Sequence, residues 1–561
     1  MRVRQRVFQG FVLVLSAFLL VGRAFERRPR WMLVLSLVGL LVVVVLWDSA
    51  QEPVPDAPPP TGLHSSLVQM LLATPLATRP PPTPTPVPDF VGDACQIDVQ
   101  ARAMRAGTLD GVPKPPLYVC YDLFVALEPG ANAYSGTATL TVFNNTNEPL
   151  LDLLLRTYPN AQTLYGGSLQ ITAAQVNTLP VVWEEDPSDP TIVRFPLPEA
   201  LPPRGALRLN LAFEGRVPQD FGSPTAYGTF NVVSGQDTFV LASWYPRLAP
   251  WRHGAWLLPP VPLTGDALDG DVALYTVRVR LPPGWRAAAT GFRLGVQDEP
   301  AGTVHHFVSG PARHFMLVAG GGLVDHTAEG SGVRLVHWSG AALQAAGASV
   351  LETARQALAF FEERFGPYPY TELDVVAVPL QRVIGMEFPG LFLLDAELYG
   401  RPSLLNLGVV HEIAHQWWYG VVGSHSVAAP WQDEALAEYS AVWFFEHHNP
   451  SLATALLAGY RQRVAAAQAS GRLQALGAPA TLFGTDQEAY WITVYDGGVL
   501  FFGAVRARIG DEAFETALQH YYRQNAFGLA EPEALLDTFE EVCSCQLDDL
   551  YARWGVKRGE P

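Results

Sequence analysis

The sequence predicts an α+β protein in which a β-rich domain precedes a mainly helical one, behind an N-terminal apolar segment and a Pro-rich tract. Three observations carry this prediction. From about residue 118 to 310 the chain alternates apolar and polar residues in short runs such as TATLTVFNN, LRLNLAFEG and LYTVRVRLPPG, separated by Pro, Gly and Asn. That is the period of half-buried strands. After Gly340 the spacing lengthens: ALQAAGASVLETARQALAFFEERFG has helical periodicity and stops at Gly366 and Pro367, LDVVAVP reads as a strand, and helices dominate from Leu404, one of them ending in HHNP at 447–450. Between Pro53 and Pro88 the text is PVPDAPPP and RPPPTPTPVP, which favours extended polyproline II and builds no core. The expected divisions are 1–50, a basic terminus with an anchor; 51–92, a stalk; 93–312, the β domain; and 313–561, the domain that carries the chemistry.

Composition agrees with this division and excludes other classes. A chain of 561 residues is too long for one core, and 49% apolar with 16% charged residues is incompatible with wholesale disorder. Of the net charge of −17, residues 1–30 contribute +6 through seven Arg against Glu26, so the remainder carries −23. So acidic a body has no footprint for a polyanion, which argues against nucleic-acid binding.

Residues 31–47, WMLVLSLVGLLVVVVLW, are 17 uncharged apolar positions. At ~1.5 Å per residue they approach the short limit for crossing ~30 Å of hydrocarbon. Trp31 and Trp47 bracket the run, Arg23, Arg27, Arg28 and Arg30 precede it, and Asp48, Glu52 and Asp56 follow. The positive-inside rule then predicts a single-pass anchor in the cell membrane with the body outside the cytoplasm. No small-residue cleavage site follows, so the anchor is read as uncleaved. The apolar stretch 8–21 is read as an interfacial segment, a second span being the alternative. In an oxidising compartment the four cysteines predict disulfides, Cys95 with Cys120 and Cys543 with Cys545.

The chemistry centres on His411-Glu412-Ile413-Ala414-His415, set in the apolar context LLNLGVVHEIAHQWWYG. Histidines four apart lie one turn above each other on a helix, so both imidazoles can hold one Zn²⁺ while Glu412 reaches the metal's water. With 13 His in the chain, chance yields this pentapeptide in roughly two such sequences per hundred, so a third ligand is needed. Glu434, in PWQDEALAEYSA and 19 positions beyond His415, supplies it and completes a His₂Glu site with one position open.

His411, His415 and Glu434 at this spacing resemble the membrane alanyl aminopeptidase family of gluzincins, peptidase family M-one. Met386-Glu387 resembles that family's exopeptidase motif, normally Gly-x-Met-Glu-Asn, with Ile384 and Gly385 where Gly-x stands and Phe388 replacing Asn. FGPYPYTELDVVAVP and VYDGGVLFFGAVRARIGDEAF are also similar to family text. The resemblance implies a β-sandwich or saddle-like domain followed by a thermolysin-like catalytic domain, one zinc ion, and peptide substrates. It implies catalysis by Glu412 as general base on the zinc-bound water, with Tyr495 stabilising the oxyanion, although Gly497 stands where the family usually has Lys. It implies that Glu387, with Gly385 and Met386 beside it, binds the substrate's free α-amine. The chain ends 127 residues after Glu434, so the family's C-terminal helical domain is expected to be absent and the cleft more open.

Each residue also has a plainer reading. Glu387 could be a solvated carboxylate beside a strand, Tyr495 core packing next to Trp491, and Glu438 either a group orienting a ligand or a surface charge. His425 reads as a solvated loop residue, and Trp417, Trp418 and Tyr419 as packing of the motif helix. His305, His306 and His314 have no spaced partner and no assigned role. Against the aminopeptidase stand a zinc endopeptidase or other zinc hydrolase on the same ligands, and a catalytically silent peptidase-like binding protein.

Overall fold

The computed structural model describes residues 97–108, 115–267 and 269–556. The expected interfacial segment (8–21), anchor (31–47) and stalk (51–92) lie outside the described residues, as does Cys95. Among the described residues no helix is long and apolar enough to cross a membrane. Cys543 and Cys545 are joined across Ser544, and Cys120 is disulfide-bonded.

The fold is α+β, with the β-rich part first. Leu117–Glu128 pairs antiparallel with Ala133–Asn144 along its whole length and parallel with Ala273–Leu281 on its other edge. These strands form the middle of an eight-stranded sheet. Two four-stranded sheets and a two-stranded ladder, Trp251–Arg252 with Ala255–Trp256, complete this part. One is built from Phe230–Val233, Thr238–Leu241, Arg286–Ala289 and Leu317–Gly320, the other around Leu150–Arg156 and Ile192–Leu201. Alternating inward residues of the three sheets share one core. At its centre Trp244 meets Tyr245 and Tyr134 edge-on, with ring centroids 5.0 and 6.5 Å apart.

The second part begins with a five-stranded mixed sheet in the order Leu323–Gly330, Val333–Gly340, Glu372–Val378, Leu391–Asp395, Gly385–Phe388. Its inner strands are apolar on consecutive residues because both faces are covered, as in parallel sheets. Leu373, Val375, Phe392 and Leu394 pack into the helical core, whereas Val376, Val378, Leu391 and Leu393 belong to the core of the β part. The sheet is therefore the wall shared by both cores. On its helical side Gly347–Phe365, terminated by Gly366 at φ 133, packs on Pro402–Ala414. That helix packs on Glu434–His448, which in turn rests on Pro450–Ser470 and Gly497–Ile509.

One buried cation braces the two parts. Arg313, 1% exposed, donates from the end of the β part to the carbonyls of Tyr419, Gly270 and Val421 at 2.8–2.9 Å, and to that of Gly528. A Cβ on Gly423 would lie 2.2 Å from its guanidinium carbon, so the loop at 419–423 can close around Arg313 only with glycine there. Burial lowers the Arg313 pKa against the opposing charge of Asp271, and its hydrogen-bond partners are carbonyl dipoles. Replacement by Met is therefore predicted to leave the Tyr419 and Gly270 carbonyls unpaired, at about 1–3 kcal/mol each, while those of Val421 and Gly528 keep the N–H groups of Phe527 and Gly423. Denaturant unfolding should show Arg313→Met destabilised by at least ~2 kcal/mol, and a loss below ~1 kcal/mol would mean that the brace contributes little.

Candidate metal centre

The helix Pro402–Ala414 starts with Pro in its first turn, where no N–H is needed, and is buried on all sides from Gly408 to Ala414. His411 lies in its last turn and His415 just beyond its end. The chain then turns back through a loop held at several points. Trp417 Nε1 donates to the Gly366 carbonyl and Trp418 Nε1 to Ser440 Oγ, so these indoles pack the motif as the sequence implied. Tyr419 adopts φ 111, with its carbonyl on Arg313 and its hydroxyl 2.7 Å from His314 Nδ1. The loop delivers Asp433 and then Glu434, the first residue of the next helix, to the two histidines.

The ring nitrogens show what the cluster requires. His411 Nδ1 lies 2.8 Å from Glu438 Oε2, and His415 Nδ1 lies 2.9 Å from Asp433 Oδ1 and 3.0 Å from the Trp418 carbonyl. Acceptors on the Nδ1 side place the protons there, which leaves the Nε2 lone pairs facing inward. The two Nε2 atoms are 3.0 Å apart, and Glu434 Oε2 lies 3.4 and 3.2 Å from them. Three acceptors converging on one point repel one another unless a cation stands between them. Ligands ~2.0–2.2 Å from a tetrahedral Zn²⁺ would be ~3.3–3.5 Å apart, so the donor set fits zinc.

Without a cation the same groups hold protons instead. Burial disfavours the His411 imidazolium, but hydrogen bonds to Glu434 and Glu438 outweigh it and raise its pKa to about 10. Against the effect of burial, hydrogen bonds from His411 and His415 hold Glu434 well below its ordinary value. Metal uptake must therefore displace protons, and acid must oppose it.

Glu438 is buried, shares its second oxygen with the Tyr460 hydroxyl, and is thus not the surface charge of the plainer reading. Asp433 escaped sequence analysis although it adjoins Glu434, because only its contact with His415 sets it apart. Glu412 points beside the cluster. Burial raises its pKa to about 7, with His411 and His415 pulling the other way. A Cβ on Gly385 would lie 2.2 Å from Glu412 Oε1, so glycine at 385 makes room for that carboxylate.

Glu387 sits on the edge strand Gly385–Phe388, which Gln416 ties to the motif helix through the Phe388 carbonyl at 3.1 Å and the Gly390 N–H at 2.9 Å. It is 3% exposed, and its Oε1 accepts no hydrogen bond. Burial first, and then the neighbouring acids against the pull of His415, raise its pKa well above the usual range. It is not the solvated carboxylate of the plainer reading. Met386 beside it is buried and packs into the β-part core. Asp266, from a loop of the β part, is buried within electrostatic reach of Glu387 and Glu434. Nothing local in the sequence pointed to it.

Tyr495 lies in a π-helical turn, Ile492–Asp496, of the kind that re-aims a side chain. Its ring stacks on His411 with centroids 5.7 Å apart and planes at 17°. It also packs on Tyr490, whereas Trp491 is 41% exposed and lies outside that contact. His425 is buried 3.4 Å from Glu531 and is not a solvated loop residue. These groups surround a cavity of about 390 Å³ lined by Glu387, Glu412, Tyr495 and Asp266 together with His411 and Glu434.

A mixed sheet under a helical layer, with two histidines and a glutamate from successive helices around one metal position, defines a zinc metallopeptidase domain of the zincin class. Residues 349–554 match the Peptidase family M1 domain, and that stretch contains His411, His415 and Glu434, the donor set that fits zinc. Aminopeptidase M1-C of Oryza sativa subsp. japonica is 26% identical over 282 residues, 47% of this chain and 31% of that protein. Aminopeptidase Q of Homo sapiens is 22% identical over 556 residues, 93% of this chain and 54% of that protein. The chain thus matches less than two thirds of the length of either relative. A mutant of the M1 zinc metallopeptidase of Deinococcus radiodurans has TM-score 0.59 at 25% identity, covering 80% of this chain and 96% of that one. A mutant of it bound to a Tyr-ser-ala substrate gives 0.60 at 25% with the same coverage.

Loss of the Glu438 bond should free the His411 ring without removing a ligand. Glu438→Gln is predicted to weaken zinc binding about 10–100-fold, measured by competition with a chromophoric chelator. Unchanged affinity would show that the bond does not orient the histidine.

Proposed function

We propose that the protein is a zinc aminopeptidase that removes N-terminal residues from peptides, anchored in the cell membrane through residues 31–47 with its catalytic body outside the cytoplasm. The observation that carries this reading is the Glu387 carboxylate, buried, unpaired at Oε1 and lining the same cavity as the metal ligands. A buried carboxylate without a partner is costly unless a cation occupies the space beside it. The α-ammonium of a peptide is a cation of the right size, and Asp266 places a second buried carboxyl group within electrostatic reach. The tripeptide bound by the Deinococcus enzyme supports a peptide in this cavity.

The chain's own residues then divide the work. His411, His415 and Glu434 would hold zinc, which when bound polarises a carbonyl and acidifies a water. Glu412 takes the proton of the attacking water and returns it to the leaving amine, a task suited to a carboxylate whose pKa lies near 7. Tyr495 donates its phenol hydrogen bond to the oxygen on which negative charge develops, and burial and Glu434 keep that phenol protonated. Glu387 accepts from the ammonium and sets the scissile bond one residue from the amino terminus. Gly385, lacking a Cβ, leaves room for the Glu412 carboxylate.

Glu412→Gln is predicted to retain one zinc per chain and lose turnover, because this side chain is a base and not a ligand. Metal analysis alongside a peptidase assay checks both halves, and loss of zinc would reassign Glu412. Glu387→Ala should lower catalytic efficiency on free-amine substrates by about one to two powers of ten, the worth of a charge-assisted hydrogen bond of ~1.5–3 kcal/mol. Amine-blocked peptides should be cleaved no more slowly than before. An equal loss on both would leave only a zinc hydrolase. For the anchor, protease added to intact cells should release an active fragment cut within the Pro-rich tract; release only after lysis would put the body inside.

A further inference from the structure

Six carboxylates line the cavity, from Asp266, Glu387, Glu412, Glu434, Glu438 and Asp496, but Arg463 is the only Lys or Arg among its lining residues. It belongs to the helix Pro450–Ser470. Its Nε and Nη2 donate to Asp496 Oδ2 and Oδ1 at 2.6 and 2.8 Å, and its guanidinium carbon lies 5.1 Å from the Tyr460 ring centroid. The fork is therefore fixed on one edge and over one face. Its outer nitrogen, Nη1, donates to no described residue, and the side chain is half exposed at 51%. An isolated surface pair would contribute little. This pair differs because both partners face the cavity and Asp496 is itself buried, next to Tyr495.

The cavity is electrically polar. Glu387 and Asp266 mark an anionic end suited to an ammonium. Leu404, Leu407 and Leu456 form an apolar wall, and Arg463 supplies a held cation. Arg463 is connected to the metal position through Tyr460, Glu438 and His411.

We infer that Arg463 is a specificity-determining residue that binds the C-terminal carboxylate of short peptides, so that the enzyme selects those with a free carboxylate over their amides. The inference rests on the aminopeptidase reading and adds to it the class of substrate. Nη1 can make a charge-assisted hydrogen bond to a carboxylate oxygen, and a neutral carboxamide forfeits that charge. A guanidinium already oriented by Asp496 and Tyr460 loses little freedom on binding.

The test is the ratio of kcat/KM for a tripeptide such as Leu-Gly-Gly to that for its C-terminal amide, measured on the zinc-loaded full chain. The wild type should favour the acid at least tenfold. Arg463→Gln should bring the ratio close to one, chiefly through a higher KM for the acid, and Arg463→Lys should keep part of the preference as a point charge without the fork. A wild-type ratio near one, or a Gln variant that slows acid and amide equally, would overturn the inference, the second result marking Arg463 as a support for Tyr460. Hydrolysis of the amide by the wild type keeps the aminopeptidase reading standing whichever way the ratio falls. Hydrolysis of neither peptide overturns both.

Discussion

Two imidazole lone pairs and a carboxylate oxygen brought within about 3.5 Å of one another form the constraint on which the rest of this structure depends. Such an arrangement is repulsive without a cation and strongly binding with one. It exists because the other nitrogen of each histidine is committed, His411 to Glu438 and His415 to Asp433 and the Trp418 carbonyl. The rings cannot turn away. The acids that commit them occupy the start of a single helix, so placing that one helix sets the ligand and its supports together.

Holding two helix ends at that separation is the work of the packing around them. The motif helix is clamped on one side by the five-stranded sheet and on the other by Glu434–His448. The loop between the ligands is pinned by Arg313, Trp417 and Trp418. Because the sheet is a wall common to both hydrophobic cores, the β part supports the metal position as directly as the helices do. It also contributes Asp266 to the cavity, which explains why the chemistry cannot be assigned to the helical part alone.

The cavity's charge follows the same logic. Acids gathered around one metal position make a site that attracts cations, whether a metal, a proton or a substrate ammonium. Glu387 and Glu412 stay distinct within it because their neighbours differ. Glu412 lies against the histidines and settles near neutrality, whereas Glu387 sits on the sheet edge among other acids with an oxygen left unpaired. A carboxylate poised to exchange a proton and one waiting for a fixed charge are different tools made from one side chain.

Much of this was legible in order along the chain. Period-2 runs marked the strands, the helix stop at Gly366 was written in Gly-Pro, and the histidine pair with Glu434 announced a metal because ligand spacing on helices is a local property. Met386-Glu387 and Tyr495 were reachable only through resemblance to family text. Glu438 stood undecided between a ligand-orienting group and a surface charge, and Asp433, Asp266 and Arg463 were not assignable, because their roles lie in contacts between elements up to 168 positions apart, as between Asp266 and Glu434. The sequence by itself determined which residues could bind a metal, since a helix repeats every 3.6 positions wherever it sits. Only the tertiary structure decided which acids became supports, base or anchor, since that depends on burial and on which charges end up face to face.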